Sequence, residues 1–444
     1  MLRQVAAQIS TNQHRIRRVG VEGAWIVAGQ AATVAGSLAL VRVLTGYLSP
    51  EQYGELALAL TLCGLVSQVF TGGLIVSVGR FYSIAVERAD LHHYLRASWM
   101  CMVRAMLALL GVATSIGIAM GLVGAWPWIG LAMTALLFAA VSGCNSALSS
   151  IQNSARQRIV VAAHASVDAW MKIGLVALLL WVFGISAATV LVAFALSAIC
   201  VMGSQLFFLR RLANQHTQRV QTDTTAQWRR EIWVFALPLS SWGIFTWAQQ
   251  SSDRWALEAF TTTAELGQYA AVLQLGYTPI SVASGLLLTL VAPVVYQRAG
   301  TGSDASATRR ARSMLFRLTA GTIGLTLLGT AAAWILHAWL FNWLVGVEFR
   351  SVSHLLPWVV LAGGLFSAGQ MLSLNNFVDL DSHSLLIPKI VTAVVGVGCN
   401  FAGARYFGSI GVVAGLLGFS LIYLVWMLAL VRRASAAPQP TAEP

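Results

Sequence analysis

The sequence predicts an all-α integral membrane protein with twelve transmembrane helices, arranged as two parallel-repeat six-helix bundles around a central cavity. Three observations lead there. Of 444 residues, 57% are hydrophobic and 10% charged, with a mean hydropathy of +0.72. Soluble domains carry about 25% charged residues, so most of this chain cannot face water. The apolar residues also gather into successive runs of the roughly 20 residues that a helix needs to cross a bilayer. Finally, polar landmarks in the first half recur in order in the second.

In chain order, residues 1–20 are polar and basic and lack the apolar core and small-residue cleavage site of a signal peptide, so they read as a cytoplasmic N-terminal segment. Six spans fill the first bundle, 21–209: Val21–Leu44, Gly54–Val78, Trp99–Val123, Pro127–Ser150, Ile159–Phe183 and Ala187–Leu209. The longest polar connector, 210–231, is a cytoplasmic linker. Six further spans fill the second bundle, 232–431: Ile232–Leu257, Gly267–Tyr296, Leu315–Leu340, Leu355–Phe377, Leu386–Phe407 and Ile410–Val431. The tail, 432–444, contains Pro438, Pro440 and Pro444 and is expected to be disordered and cytoplasmic. No stretch is left over for a soluble catalytic domain.

A formal charge of +12 would point to nucleic acid in a soluble protein. Here the basic residues alternate with the loops. Arg15, Arg17 and Arg18, then Arg80, Arg88 and Arg96, then Arg210 and Arg211, then Arg309 and Arg310 all fall on one side of the predicted spans. The positive-inside rule places that side, with both termini, in the cytoplasm, as an even span count requires. No nucleic-acid partner is expected.

Sliding the halves over one another exposes the repeat. Pro50-Glu51-Gln52-Tyr53-Gly54-Glu55-Leu56-Ala57 falls on Thr263-Ala264-Glu265-Leu266-Gly267-Gln268-Tyr269-Ala270 at an offset of 213. Arg42 then lies within one residue of Arg254, and Thr61 and Gln68 meet Gln274 and Ser281. Lys172-Ile173 is echoed by Lys389-Ile390. With six spans in each half, both halves start on the same side, the arrangement that places a substrate between repeats near the midplane.

Span seven carries the sharpest chemical signal. Thr246, Gln249, Gln250 and Asp253 share a helical face and Arg254 lies beside it. Charged groups within spans cost about 2.5–3.5 kcal/mol on insertion scales and usually face protein or water. A cavity lining and an interfacial Asp-Arg pair are both open readings. Arginine suits phosphate, because its planar fork donates two parallel hydrogen bonds. Arg42 in span one either snorkels or pairs within the bundle, or meets substrate. Spans two and eight offer Thr61, Gly64, Gln68 and Thr71 against Gln274, Thr278, Ser281, Gly285 and Thr289, which line a cavity or mediate close helix packing. In span five, His164, Asp168 and Lys172 follow at four-residue intervals. They form either a neutralised i,i+4 pair or a site for H+ or Na+ coupling. Arg104 is a further cationic candidate, and Glu22 and Arg80 mark cytoplasmic span ends.

Catalytic signatures are missing. The sequence has no P-loop, no His-Glu-x-x-His and no Cys-x-x-Cys, so no enzyme activity, cofactor or metal is expected. Cys63, Cys101, Cys144, Cys200 and Cys399 lie within spans and read as small packing residues.

The runs Leu40-Val41-Arg42-Val43-Leu44 with Leu48-Ser49-Pro50-Glu51-Gln52-Tyr53-Gly54, and Phe235-Ala236-Leu237-Pro238 with Asp253-Arg254 and Glu265-Leu266-Gly267-Gln268-Tyr269, resemble bacterial O-antigen and exopolysaccharide flippases. These belong to the multidrug/oligosaccharidyl-lipid/polysaccharide exporter superfamily. The resemblance implies a V-shaped cavity faced by spans one, two, seven and eight. It implies a polyprenyl-diphosphate-linked oligosaccharide as substrate, moved across the inner membrane by alternating access, with membrane lipid as surroundings and a polysaccharide polymerase and chain-length machinery as partners. Arg42, Asp253 and Arg254 match the family's charged positions, and Arg104 and Lys172 could contribute by analogy. The rival readings are a cation-coupled multidrug antiporter of the same superfamily and a membrane polysaccharide polymerase.

Overall fold

The computed structural model describes residues 25, 27–124, 126–214, 223–299, 305–378 and 386–436, and these are helical apart from short connections. The helices are α1 (Val27–Tyr47), α2 (Pro50–Glu87), α3 (Leu91–Leu122), α4 (Trp126–Ser154), α5 (Arg158–Phe183) and α6 (Ala187–Asn214). After the linker come α7 (Thr225–Phe260), α8 (Thr263–Ala299), α9 (Ala305–Leu344), a short 3₁₀ segment (Val347–Leu355), α10 (Leu356–Val378) and α11 (Leu386–Ala436). Glu22 and the other residues of 1–24, residues 215–222 of the linker, and the tail beyond 436 lie outside the described residues.

Among the described residues, ten helices are long and apolar enough to cross a membrane. Two differences separate this count from the expected twelve. Helix α7 is not among the ten, which count described residues only, and the side chains of Trp242 and Thr246 within it lie outside them. The last two expected spans run together as α11, which breaks only at Gly408, where φ is 58° and ψ is −139°. Left-handed backbone of this kind is open to glycine at no steric cost. The Glu265 carboxylate then caps the chain beyond the break, accepting the Ser409 N–H at 2.7 Å.

The chain forms two compact units, residues 1–43 with 58–247 and residues 44–57 with 248–444. The expected bundle limits follow the order of the chain, whereas these units follow packing. They differ because 44–57 packs into the second unit and the first part of α7 into the first.

In the first unit, α4 is the central helix, packing on α2, α3 and α6. It is tied to α2 by side chains that reach backbone carbonyls: Ser150 Oγ donates to Ile75 O at 2.7 Å and Ser154 Oγ to Gly79 O at 2.8 Å. Toward α6, Asn145 Nδ2 donates to Ala198 O at 2.7 Å, and seven residues on Gln152 Nε2 donates to Gln205 O at 3.3 Å. Helix α2 carries a π-helical turn at Gln68–Gly72. Beside it Gly73 lies against the Ala236 carbonyl, and its N–H bonds Ser240 Oγ at 3.2 Å. The apolar core of this unit includes Tyr94, Leu148, Ile151 and Trp228.

In the second unit, α10 holds the same central place, packing on α8, α9 and α11. The fourth helix of each half thus packs on the second and third, and on the last element of its half. Helix α2 opens with a reciprocal cap, Ser49 N to Gln52 Oε1 at 3.2 Å and Gln52 N to Ser49 Oγ at 3.3 Å, with Pro50 in the first turn. Helix α8 opens the same way, with Thr262 Oγ1 accepting the Glu265 N–H at 3.2 Å. Phe366, Phe419 and Tyr423 pack as an aromatic cluster between α10 and α11.

Candidate functional site: a polar cavity and a buried carboxylate

Helices of the first unit border an open cavity of about 650 Å³ whose lining mixes polar and apolar groups. Helix α4 contributes Ser142, Asn145, Ser149 and Asn153, α5 contributes His164, Asp168 and Lys172, and α6 contributes Gln205. The i,i+4 spacing of span five therefore does bring its three titratable side chains to one lumen. Lys172 Nζ bonds Asp168 Oδ2 at 2.6 Å, and Ser197 Oγ donates to Asp168 Oδ1 at 2.7 Å. The ammonium also lies 5.7 Å from the Phe138 ring centroid and 5.3 Å from that of Phe194. His164 Nε2 is 2.9 Å from Ser204 Oγ, and its ring meets Phe208 edge to face. Ser197 and the serine-asparagine face of α4 were missed in the sequence. The recurrence of Ser142, Asn145, Ser146, Ser149 and Asn153 at three-to-four-residue steps is the signal that shows that face.

The second unit holds the span-seven carboxylate. Asp253 is buried, and its Oδ2 accepts the Tyr269 hydroxyl at 2.8 Å while Oδ1 accepts the Arg254 backbone N–H at 2.8 Å. The interfacial Asp-Arg side-chain pair that adjacency suggests is therefore not formed; tyrosine and the main chain hold the carboxylate. The Arg254 guanidinium instead reaches the Gln250 carbonyl at 3.5 Å and is close enough to Tyr53, Tyr269 and Tyr277 to interact electrostatically. Gln250 is exposed although Asp253, three residues on, is buried. Beside them Asn400 Nδ2 donates to Ser252 Oγ at 2.9 Å. Gln274 is half-buried and accepts the Thr278 hydroxyl at 3.2 Å. The side chains of Thr246 and Thr289 lie outside the described residues.

The remaining candidates are scattered. Arg42 and Arg104 are exposed on α1 and α3 and do not line the polar cavity. Gln68 is half-buried in the π-helical turn, with its amide against Gly72 and Gly243. Of the cysteines, Cys63, Cys101 and Cys144 are buried as packing residues would be, whereas Cys200 is exposed.

Ten long apolar helices among the described residues, with charged and polar side chains held inside the spans, define a multi-pass membrane protein. The solved structures with this fold include a point-mutant form of the Vibrio cholerae MATE transporter VcmN, with a TM-score of 0.64 and 13% identity over 95% of this chain and 98% of that one. The lipid II flippase MurJ, in an inward closed conformation, gives a TM-score of 0.65 and 13% identity over 93% of this chain and 87% of that one. The eukaryotic MATE transporter AtDTX14 gives 0.53 and 16% over 93% and 95%. No protein-family model and no curated protein matches the sequence. The chain thus has the all-helical fold shared by MATE transporters and MurJ.

Proposed function

We propose that the chain is a flippase that carries polyprenyl-diphosphate-linked oligosaccharide across the bacterial inner membrane by alternating access, for O-antigen, capsule or exopolysaccharide synthesis. The observation that carries this reading is the charge state of the spans. The acids set deepest in the spans, Asp168 and Asp253, are already engaged by Lys172, Ser197, Tyr269 and the Arg254 backbone, while the half-buried Glu55 and Glu258 stand at span ends. Arg42, Arg104 and Arg254 add positive charge. Such a charge balance favours an anionic diphosphate over a cationic drug, and guanidinium groups recognise phosphate oxygens in bidentate fashion. The likeness to a lipid II flippase supports a lipid-linked substrate. On this reading both termini are cytoplasmic, and a polymerase and chain-length machinery consume the product on the far side.

A cation-coupled multidrug antiporter is the second reading, favoured by the equal likeness to a MATE transporter. Gene deletion in the host separates them. The flippase reading expects loss of the surface polysaccharide and accumulation of lipid-linked repeat units on the cytoplasmic leaflet, with drug susceptibility unchanged. Normal polysaccharide together with new drug sensitivity would overturn it in favour of the antiporter.

A further inference from the structure

We infer that Lys172 is a tethered counter-ion that fills the cation position of the first unit's cavity, so that this cavity excludes Na+ and takes neutral, hydroxyl-bearing guests such as water. A carboxylate in a polar cavity within a span is the natural acceptor for a small hard cation, which seeks oxygen ligands. Here both of its oxygens are spoken for. Oδ2 holds the Lys172 ammonium at 2.6 Å and Oδ1 holds the Ser197 hydroxyl at 2.7 Å.

The ammonium is built in on its other sides as well. Lys172 has a side-chain exposure of only 19% and sits within cation-π range of Phe138 from α4 and Phe194 from α6, two rings whose centroids are 5.7 Å apart. A lysine that merely snorkelled would extend its ammonium to water. This one is enclosed by a carboxylate and two aromatic rings on three different helices. The rest of the lumen carries no other ionisable group apart from His164 two turns away on α5: its polar lining is hydroxyl and amide, interleaved with Ile75, Val161, Ala198 and Val201. The cavity is thereby neutralised from within, and its hydroxyl and amide lining matches guests that exchange hydrogen bonds rather than charge.

The inference concerns the ion specificity of this cavity and stands apart from the flippase reading, because its test reads ion binding and not export. The purified full-length chain in lipid nanodiscs is titrated with ²²Na+ against a choline background. The wild type is expected to show no saturable Na+ binding. Lys172→Met keeps an apolar stem between the two rings but removes the charge, and it should gain a saturable Na+ signal that Asp168→Asn in the same chain abolishes. A folded, monodisperse Lys172→Met that gains no signal overturns the inference. Should that variant not fold, the wild type decides: saturable Na+ binding that Asp168→Asn removes overturns the inference, and its absence supports it.

Discussion

Gly54 and Gly267 occupy matching positions 213 residues apart, and each closes against the turn that the other one follows. Gly54 lies against the carbonyl of Thr263, and Gly267 against the carbonyl of Pro50. Pro50 and Thr263 are themselves 213 apart, so the two contacts are a reciprocal pair. The sequence repeat is thus reproduced as a packing repeat within the second unit, where two helix starts come together backbone to backbone. Only glycine permits that approach, because a Cβ at either position would overlap main-chain atoms that cannot yield.

The first prediction follows directly. Gly54→Ala and Gly267→Ala should each destabilise the chain by about 1–3 kcal/mol, the usual cost of overpacking. Gly111→Ala, at a position with open space around it, should be neutral or slightly stabilising. Thermal melting in detergent, followed by monodispersity on size exclusion, distinguishes them. Equal behaviour of all three variants would show that the turns yield.

The rungs between α4 and α6 give a second prediction. Asn145→Ala removes a hydrogen bond to Ala198 O and should cost about 0.6 kcal/mol and at most about 1.7 kcal/mol, the average and upper limit for side-chain hydrogen bonds between membrane helices. A double-mutant comparison with Gln152→Ala, seven residues along the same interface, should give near-additive losses if the rungs act independently.

Tyr269→Phe tests the buried carboxylate. Asp253 would keep the Arg254 backbone N–H but lose its only side-chain hydrogen-bond donor among the described residues. A loss of about 1.5–3 kcal/mol is expected, as for other hydrogen bonds to charged groups. Asp253→Asn combined with Tyr269→Phe should be less harmful than Tyr269→Phe alone, since the unpaired charge is then gone. On the proposed flippase reading, Arg254→Ala should by contrast reduce export of polysaccharide without reducing the amount of protein in the membrane.

Acid should loosen a contact outside the spans. Asp90, between α2 and α3, lies in a partly desolvated place that pushes its carboxyl up, but hydrogen bonds from Thr224, from Trp228 Nε1 at 2.7 Å and from His93 at 2.6 Å outweigh burial and hold it below the ordinary carboxylate range. A carboxylate depressed in the folded state contributes stability that is present above its unfolded pKa and lost as pH falls through the folded value. Hydrogen exchange at residues 88–93 and 223–228, taken relative to the intrinsic rate at each pH, should therefore stay slow at neutral pH and quicken once the pH falls below about 4. In Asp90→Asn the quickening should already be present at neutral pH.

Much of the architecture was legible because the membrane imposes it. A helix must satisfy its backbone internally and present apolar side chains outward, so composition and run length alone mark the spans. The turn Ser49-Pro50-Glu51-Gln52 could be read as a helix start because capping is a local matter between neighbours in sequence. Asp168 and Lys172 could be paired on paper for the same reason, being one helical turn apart. Ser197, Phe138 and Phe194 could not, for they reach Lys172 or Asp168 from other helices, and no periodicity within one segment announces such a meeting. The same applies to Tyr269, whose hydroxyl replaces the Asp-Arg pairing that adjacency suggested for Asp253.

The sequence by itself determined that the chain is an all-helical membrane protein, where helix starts such as Ser49-Pro50 fall and which few charged side chains stand inside the spans. Those are properties of hydropathy, local capping and spacing, which a single strand of residues carries in full. Tertiary structure alone decided what each charge faces: Lys172 caged against Asp168 by two rings, Asp253 held by a tyrosine, and two glycines 213 residues apart closing on each other's turns. In a low-dielectric interior the cost of a charge depends on the partners packed within a few ångströms of it, and those partners come from distant parts of the chain.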